Sequence, residues 1–402
     1  MTSLTEIHIA TNERYGAHNY SPLPVVLEEG SGSWVKDVEG RWYLDMLAAY
    51  SALNFGHRHP TLVDALQRQL GRLTLTSRAF HNDQLGAFCE ELAALVGMDR
   101  VLPMNTGAEA VETAIKAARK WGYEAKGVGA DRAEIIVCEG NFHGRTTSLV
   151  SFSSDATARD GFGPFTPGFV SIPYGDPAAL ESTINESTVA FLFEPIQGER
   201  GVVIPPDGYL QAVREICTRH EVLLLADEIQ SGLGRTGTTL ACDHEGVLPD
   251  VLMLGKALGG GLLPVSAVVG RADVMGVFGP GTHGSTFGGN PLACAVARAV
   301  IGLLAEGDVQ ARALSGEARL VQALENLRCA AITDIRCKGL WAGLDIHPDA
   351  GGARAICEDL AGHGVLTKET QVNTLRLAPP LVTSDEDLDW AMGQLDAVIP
   401  DA

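Results

Sequence analysis

With 402 residues, 46% of them hydrophobic, the chain can build two or three domains, or one large α/β domain with an accessory lobe. Its formal net charge of −20 excludes non-specific binding to nucleic acid or to an anionic membrane, but leaves room for a local pocket that holds a small anion. The eight cysteines show no C-x-x-C pair and no histidine at metal spacing, which reads as free thiols in a reducing cytoplasm and no metal site.

The first residues, MTSLTEIHIATNERYG, carry neither a basic run nor an apolar stretch, so no signal peptide is expected. No apolar run approaches the length of a membrane span, and a soluble, cytoplasmic protein is expected. Residues 1–55 mix proline, tyrosine and short alternating pieces; SWVKDVEGRWYLDML reads as a hairpin turning at Glu39-Gly40. The spacing of Leu62, Leu66, Leu70 and Leu73 predicts a helix over 61–73, and Leu85, Phe88, Leu92 and Leu95 predict another over 85–96.

From about residue 100 to 270, short apolar runs alternate with helical ones. Strands are predicted at 101–105, 134–138, 169–172, 189–194, 222–226, 251–254 and 265–269, with helices at 108–121 and 208–219 among them. Such repeated βα units imply a mostly parallel sheet covered on both faces. Asn290-Pro291 opens a helix predicted over 290–305. The last hundred residues alternate helices (307–327, 350–363, 384–397) with short strands near 333–337, 341–346 and 373–377, a separate α+β lobe. The expected organisation is an N-terminal segment, 1–55, contributing to the small domain and the active site; a large domain, 56–300; and a C-terminal small domain, 301–402.

The chemistry concentrates where strands end. VLLLADEIQ (222–230) closes an apolar run on Asp227, and VLMLGKALGGG (251–261) closes another on Lys256. Two opposite charges at one edge of a parallel sheet stand where open α/β sheets bind ligands. A lysine able to form a Schiff base and an acid able to hold a pyridinium nitrogen are what pyridoxal phosphate requires. Strand 101–105 runs into NTGAEA, where small Gly107 and Ala108 at a helix start suit a phosphate. That helix buries Ala108, Val111, Ile115 and Ala118, and Glu112 and Lys116 are expected to pair on its outer face. In GNFHGRT, Phe142 and His143 suit a surface that stacks on a flat ring, and Arg145 suits a carboxylate. Strand 189–194 ends in EPIQGE, where Glu199 is a candidate partner for a mobile substrate-binding arginine. Gln230 could reach a ring hydroxyl, and Thr286 in GSTFGGNP a phosphate.

Taken in order, NTGAEAVETAIKAARKW, GNFHGRT, EPIQGE, ADEIQSGLGRTG, GKALGGGLLPVSAV and HGSTFGGNPLAC resemble the class III, pyridoxal-phosphate-dependent ω-aminotransferases of fold type I. Within them, YGAHNYSPLP (15–24), LTLTSRAF (73–80), DGFGPFTPGF (160–169) and LRLAPPLV (375–382) are similar to the ornithine aminotransferases. The resemblance implies an α/β fold with a mostly parallel seven-stranded sheet, a smaller α+β domain, and a homodimer with active sites at the subunit interface. Pyridoxal 5′-phosphate would be the cofactor, with L-ornithine and 2-oxoglutarate as substrates. Lys256 would carry the cofactor and shuttle the proton, while Asp227 would pair with the pyridine nitrogen. Phe142 would stack on the ring beside His143, Gln230 would touch its phenolic oxygen, and Gly107 and Ala108 would bind the phosphate with Thr286 of a second subunit. Tyr20 and Arg145 would hold the α-carboxylate of ornithine, with Tyr50 lining the pocket. Arg376 would take the α-carboxylate of 2-oxoglutarate, and Glu199 would neutralise Arg376 while ornithine is bound.

Two positions depart from the ornithine pattern: His143 stands where some carry tryptophan, and Arg200 where a small residue is more usual. The alternatives are another ω-aminotransferase, acting on N-acetylornithine or 4-aminobutyrate, and a pyridoxal-phosphate-binding regulatory protein without activity. Tyr20 separates the first, because its phenol suits a free α-carboxylate. The joint presence of Lys256 and Asp227 speaks against the second.

Overall fold

The computed structural model describes residues 2–400 apart from 328 and 372. The N-terminal strands β1 (Leu27–Ser31), β2 (Trp34–Asp37) and β3 (Trp42–Asp45) pair antiparallel, with the expected turn around Gly40. Seven further strands follow: β4 (Arg100–Met104), β5 (Glu134–Cys138), β6 (Phe169–Ile172), β7 (Thr188–Phe193), β8 (Leu223–Asp227), β9 (Val251–Leu254) and β10 (Ser266–Gly270). They form one sheet in the order β4-β10-β9-β8-β7-β5-β6, in which β10 alone runs against its neighbours. The mostly parallel, seven-stranded expectation holds, with strand limits within one residue of those predicted.

Burial explains why these strands read as continuous apolar runs. Ile136, Cys138, Phe191, Phe193, Leu224 and Leu252 face one core with the helices Pro60–Leu70, Leu85–Val96, Tyr209–Arg219 and Pro291–Glu306. Their neighbours Ile135, Val137, Ala190, Leu192, Leu225 and Val251 face another core, against the helix Gly107–Trp121. Strand residues alternate faces, so a sheet buried on both sides has apolar residues at both parities.

The remaining strands, β11 (Ile332–Cys337), β12 (Ala342–Ile346), β13 (Val365–Leu366), β14 (Lys368–Thr370) and β15 (Thr374–Leu377), alternate with the helices Asp308–Asn326, Ala353–Gly362 and Asp385–Val398. β11, β12, β15 and β14 form a four-stranded sheet, whereas β13 pairs parallel with β3 and so extends the N-terminal sheet. Leu44 and Met46 share a core with Leu320, Leu344, Leu375 and Leu388. Among the described residues no helix is long and apolar enough to cross a membrane.

Three local expectations fail. The helix predicted over 61–73 stops at Leu70, and its buried face is Leu62, Ala65 and Gln69 while Leu70 is exposed. A period of 3.6 places residues three and seven positions on beneath Leu62; residue eight drifts towards solvent. Glu112 and Lys116 do not pair: Glu112 accepts from the Thr146 hydroxyl, and Lys116 Nζ lies 2.9 Å from His283 Nδ1. The helix Leu4–Tyr15 was not expected, because no residue in it is buried and no apolar stripe marks it. Its Ser3–Glu6 capping box was the available signal.

Candidate active site

Four adjacent parallel strands deliver the site. β9, β8, β7 and β5 lie side by side, and their carboxyl ends bring Lys256, Asp227, Glu194 and the 139–145 loop to one edge. Asp227 stands in register with Met253, so Lys256 follows three residues beyond its partner strand position. Lys256 holds φ at +44°. A lysine in the left-handed region costs of order 1–3 kcal/mol, a strain concentrated at functional sites. Burial lowers its ammonium below the usual lysine range, against the opposing pull of Glu199, so more of the amine is neutral and nucleophilic.

Asp227 is buried, and its Oδ2 lies 2.7 Å from His143 Nδ1 while Oδ1 accepts from the Ile229 N–H at 3.1 Å. Burial works against a charged imidazole, but the Asp227 carboxylate outweighs it and raises His143 above the ordinary histidine range. The pair therefore keeps a negative charge fixed at the sheet edge in a place where a lone carboxylate would be costly. Glu194 is a second buried acid at this edge; burial pushes its carboxyl up to about 8, and Oε2 accepts the Phe142 N–H at 3.0 Å. A neutral glutamic acid beside the ionised pair avoids two like charges in one apolar space.

Phe142 presents its ring to a cleft of about 790 Å³ that also takes in His143, Arg145, Glu199, Arg200 and Gln371. The guanidinium of Arg145 sits 5.8 Å from the Phe142 ring centroid, at the exposed lip. Gln230 is buried, with Oε1 so near the chain at Gly198 that a Cβ there would come within 2.2 Å of it. Only glycine fits at 198. The Nε2 atoms of His143 and Gln230 meet no partner among the described residues. Buried polar atoms of this kind are seldom left unmet in a folded protein, and they leave two partners for a bound polar group. At the far side, the helix Gly107–Trp121 begins with a Thr106–Glu109 capping box, and its first N–H groups have no carbonyl one turn back. This end suits a phosphate. The donor set thus fits pyridoxal phosphate: an amine, an anion for a ring nitrogen, a flat aromatic face, an amide for a ring oxygen and a helix start.

The other half of the site is a charged gate. Arg376, on β15, is 1% exposed, and its Nη1 lies 2.8 Å from Glu199 Oε1. Burial alone would raise Glu199, yet Arg376 holds it below the usual glutamate range. The Glu199 backbone carbonyl accepts from Thr370 Oγ1 at 2.5 Å and from Gln371 Nε2 at 3.1 Å, tying the turn after β7 to β14. Tyr50 covers the other side, with the Arg376 guanidinium 4.8 Å from its ring centroid. Burial raises the Tyr50 phenol, with Arg376 pulling the other way and the Tyr20 phenol among its neighbours.

Tyr50 sits in an unusual backbone. Ala48, Ala49, Tyr50 and Ser51 have φ of +47°, +45°, +60° and +72°, one left-handed turn without a glycine. Such residues cost roughly 1–2 kcal/mol each. Asp45 Oδ1 holds the entry, accepting from the N–H groups of Leu47 at 2.9 Å and Ala48 at 2.8 Å. Beyond the exit, buried Arg235 donates to Asn54 Oδ1 at 2.5 Å, the Pro379 carbonyl at 2.7 Å and the Leu340 carbonyl at 2.9 Å. Burial pushes this guanidinium down to about 9.

Phe142, His143, Arg145 and Glu199 line one cleft; His143 is joined to Asp227, Glu199 to Arg376 beneath Tyr50, and Lys256 lies within electrostatic reach of Glu199, Arg376 and Asp227. Gln230 lies against Gly198, next to Glu199. Gly107 and Ala108 stand at the adjoining helix start. Tyr20 lies on the exposed N-terminal arm, 77% accessible but close enough to bear on Tyr50. Thr286 is exposed on a loop whose preceding residue, Ser285, accepts from Asn105 Nδ2 at 2.8 Å, just before the helix start. His143, expected near the ring, hydrogen-bonds Asp227 through Nδ1. Glu194, the left-handed turn and Arg235 were not among the expected site residues. An acid at the end of a strand was the signal for Glu194, whereas Ala-Ala-Tyr-Ser offers none for a left-handed turn.

The comparisons with known proteins agree with this chemistry. The family model described as "Aminotransferase class-III" matches residues 15–399. An ornithine aminotransferase from Geobacillus sp. (strain WCH70) is 54% identical over 398 residues, covering 99% of each chain. The crystal structure of the ornithine aminotransferase from Toxoplasma gondii ME49 superposes with a TM-score of 0.97 at 45% identity, covering 99% of this chain and 95% of that one. An acetylornithine aminotransferase from Elizabethkingia anophelis superposes with a TM-score of 0.88 at 47% identity, covering 99% of both. The chain belongs to the class III aminotransferases, enzymes that work with pyridoxal 5′-phosphate.

Proposed function

We propose that this enzyme is an ornithine δ-aminotransferase, which moves the δ-amino group of L-ornithine to 2-oxoglutarate and releases L-glutamate 5-semialdehyde and L-glutamate. The observation that carries this is the Glu199–Arg376 pair, one partner buried and the other opening on the cleft that holds Arg145. A site that accepts first a cationic amine and then a dicarboxylate needs one arginine masked in the first case and free in the second. A switchable carboxylate does this without changing the shape of the pocket. The relatives named above support the same donor, and the acetylornithine enzyme among them keeps N-acetylornithine as the second donor to be tested.

In this reading the residues divide the work. Lys256 would hold the cofactor through Nζ and move the proton at the substrate's amine-bearing carbon. Asp227, hydrogen-bonded to His143, would hold the proton on the pyridine nitrogen. Phe142 would cover the ring with His143 behind it, and Gln230 Nε2 would donate to the ring oxygen. The N–H groups of Gly107 and Ala108 would hold the phosphate, with Thr286 from a second copy of the chain. When bound, pyridoxal phosphate supplies the electron sink that lets the substrate's C–H bond break at neutral pH. Arg145 and Tyr20 would fix the α-carboxylate of ornithine so that the δ-amine reaches Lys256, beside Tyr50. Arg376 would bind the α-carboxylate of 2-oxoglutarate once Glu199 has moved.

The same reading includes a cytoplasmic homodimer, its sites at the subunit interface. An N-terminal helix without a buried residue and the exposed Phe80, Phe162 and Phe287 support it. It also includes a small domain built from residues 1–55 and 301–402 around the large domain 56–300, supported by the β3–β13 pairing.

A panel of amino donors with 2-oxoglutarate, analysed for glutamate and for the pyrroline-5-carboxylate formed when the semialdehyde cyclises, tests the proposal. Ornithine should exceed N-acetylornithine and 4-aminobutyrate in kcat/KM by at least about a hundredfold, and Tyr20→Phe should raise KM for ornithine by about tenfold. Faster turnover of N-acetylornithine, with KM for ornithine unmoved by Tyr20→Phe, would overturn it.

A further inference from the structure

The gate leaves one question of charge unanswered: where the Glu199 carboxylate goes when a ligand carboxylate takes Arg376. Its side chain is 26% exposed, and Arg376 first, then Lys256 and Gln230, hold its carboxyl below the usual glutamate range against burial. Releasing it without a cation would strand a largely buried charge. The basic side chains lining the cleft are His143, Arg145 and Arg200. His143 is held by Asp227 at 2.7 Å, and Arg145 lies over Phe142, assigned above to the substrate. Arg200 remains.

Arg200 is the residue next to Glu199, and it forms no ion pair among the described residues. Its Nη1 makes one hydrogen bond, donated to the Glu139 carbonyl at 3.2 Å. The side chain lies flat on the chain at Gly140, where a Cβ would come within 2.2 Å of Nη1 and 2.3 Å of Cδ. Gly140 has φ of +73°, so its backbone calls for glycine, and the open space left by the missing Cβ is where the Arg200 side chain rests. The guanidinium is thereby parked in the cleft on a single neutral acceptor, with four of its five N–H donors free to meet a carboxylate. Exchanging a carbonyl for a carboxylate is favourable, because it adds an ion pair, which can be bidentate, to the hydrogen bond.

We propose that Arg200 is the second station of the gate: it receives the Glu199 carboxylate when a dicarboxylate acceptor displaces it from Arg376. Arg200 is a positioning residue that touches neither the cofactor nor the reacting atoms. It favours the acceptor half-reaction by giving the displaced acid a partner. The inference rests on the gate proposed above, and it adds a residue and a landing site to that gate.

The test is equilibrium binding to the holoenzyme of glutarate, a dicarboxylate with no keto group to react, alongside KM for ornithine and for 2-oxoglutarate. Arg200→Gln should weaken glutarate and raise KM for 2-oxoglutarate by about tenfold, shift KM for ornithine less than twofold, and be largely rescued by Arg200→Lys. In a Glu199→Gln background, where no carboxylate needs a partner, Arg200→Gln should leave glutarate affinity unchanged. Equal weakening in both backgrounds would make Arg200 a direct anion contact and overturn the proposal, as would no weakening in either. Glu199→Gln alone reports on the underlying reading, since it should tighten glutarate by freeing Arg376. If it does not, the gate itself fails, whatever Arg200 does.

Discussion

The two halves of this active site hold charge in opposite ways. At the sheet edge, Asp227, His143 and Glu194 stand at or just beyond the ends of buried strands, and each is fixed by short hydrogen bonds. Across the cleft, Glu199 and Arg376 come from a turn and from the small four-stranded sheet, and they depend on one another. A charge that must hold a ring nitrogen through every step benefits from rigid, regular backbone. A charge that must change partners between half-reactions needs a turn that can move, and a cleft to move in. The left-handed turn at 48–51 belongs to the second half, where strain sets Tyr50 against Arg376.

The sharpest way to break this contrast is at the fixed half. Asp227→Ala removes the carboxylate and strands a buried imidazole. Transamination in both directions should fall by about 10²–10³-fold, the scale of losing one preorganised electrostatic group. Stopped-flow measurement of the two half-reactions separately should show both slowed alike. Slowing confined to one half-reaction would mean that Asp227 also takes part in the switch.

At the movable half, the effect should be smaller and one-sided. Glu199→Ala leaves Arg376 unmasked in both half-reactions, so the enzyme should lose preference for the δ-amine of ornithine over the α-amine of glutamate. With Arg376 1% exposed, the change should exceed the ~0–1 kcal/mol of a surface pair and reach roughly 1.4–2.7 kcal/mol, or about 10–100-fold in the ratio of kcat/KM values. Unchanged partitioning would reduce the pair to a structural tie.

The same contrast explains what the sequence disclosed. Residues at strand ends were legible because a parallel strand buried on both faces is a continuous apolar run, and a charge that stops it, as Asp227 and Lys256 do, stands out. The limits of β5, β6 and β9 could be read to the residue for that reason. Arg376 and Tyr20 carry no such signal, and only their resemblance to a family pointed to them, whereas Glu199 was marked by the acidic turn EPIQGE after a predicted strand. Nothing local foretold that His143 would hydrogen-bond Asp227, since that contact joins residues 84 positions apart. The helix Leu4–Tyr15 escaped because a helix with no buried face has no apolar period. Arg235 was visible in LGRTG, but its partners Asn54, Leu340 and Pro379 lie far away along the chain.

The smallest of these effects sharpens the account of Glu194. Its carboxyl titrates at about 8 in the folded protein against 4.5 for an ordinary glutamate, because burial disfavours the anion. Between those values the folded state binds more protons than the unfolded one, so the stability that Glu194 contributes is present at low pH and lost as pH rises towards 8. Glutamine has the same shape, keeps an oxygen to accept the Phe142 N–H, and cannot ionise. Glu194→Gln should therefore melt close to the parent near pH 5 and gain on it steadily up to pH 8, by roughly 2–5 °C in Tm. Scanning calorimetry across that range measures the difference directly. A gap that stays constant from pH 5 to pH 8 would show that Glu194 is already an anion in the folded protein, paired with His143 rather than sparing Asp227 a like charge. In that case the fixed half of the site would hold two negative charges on one imidazole, and Asp227 would not be the sole acid available to a ring nitrogen.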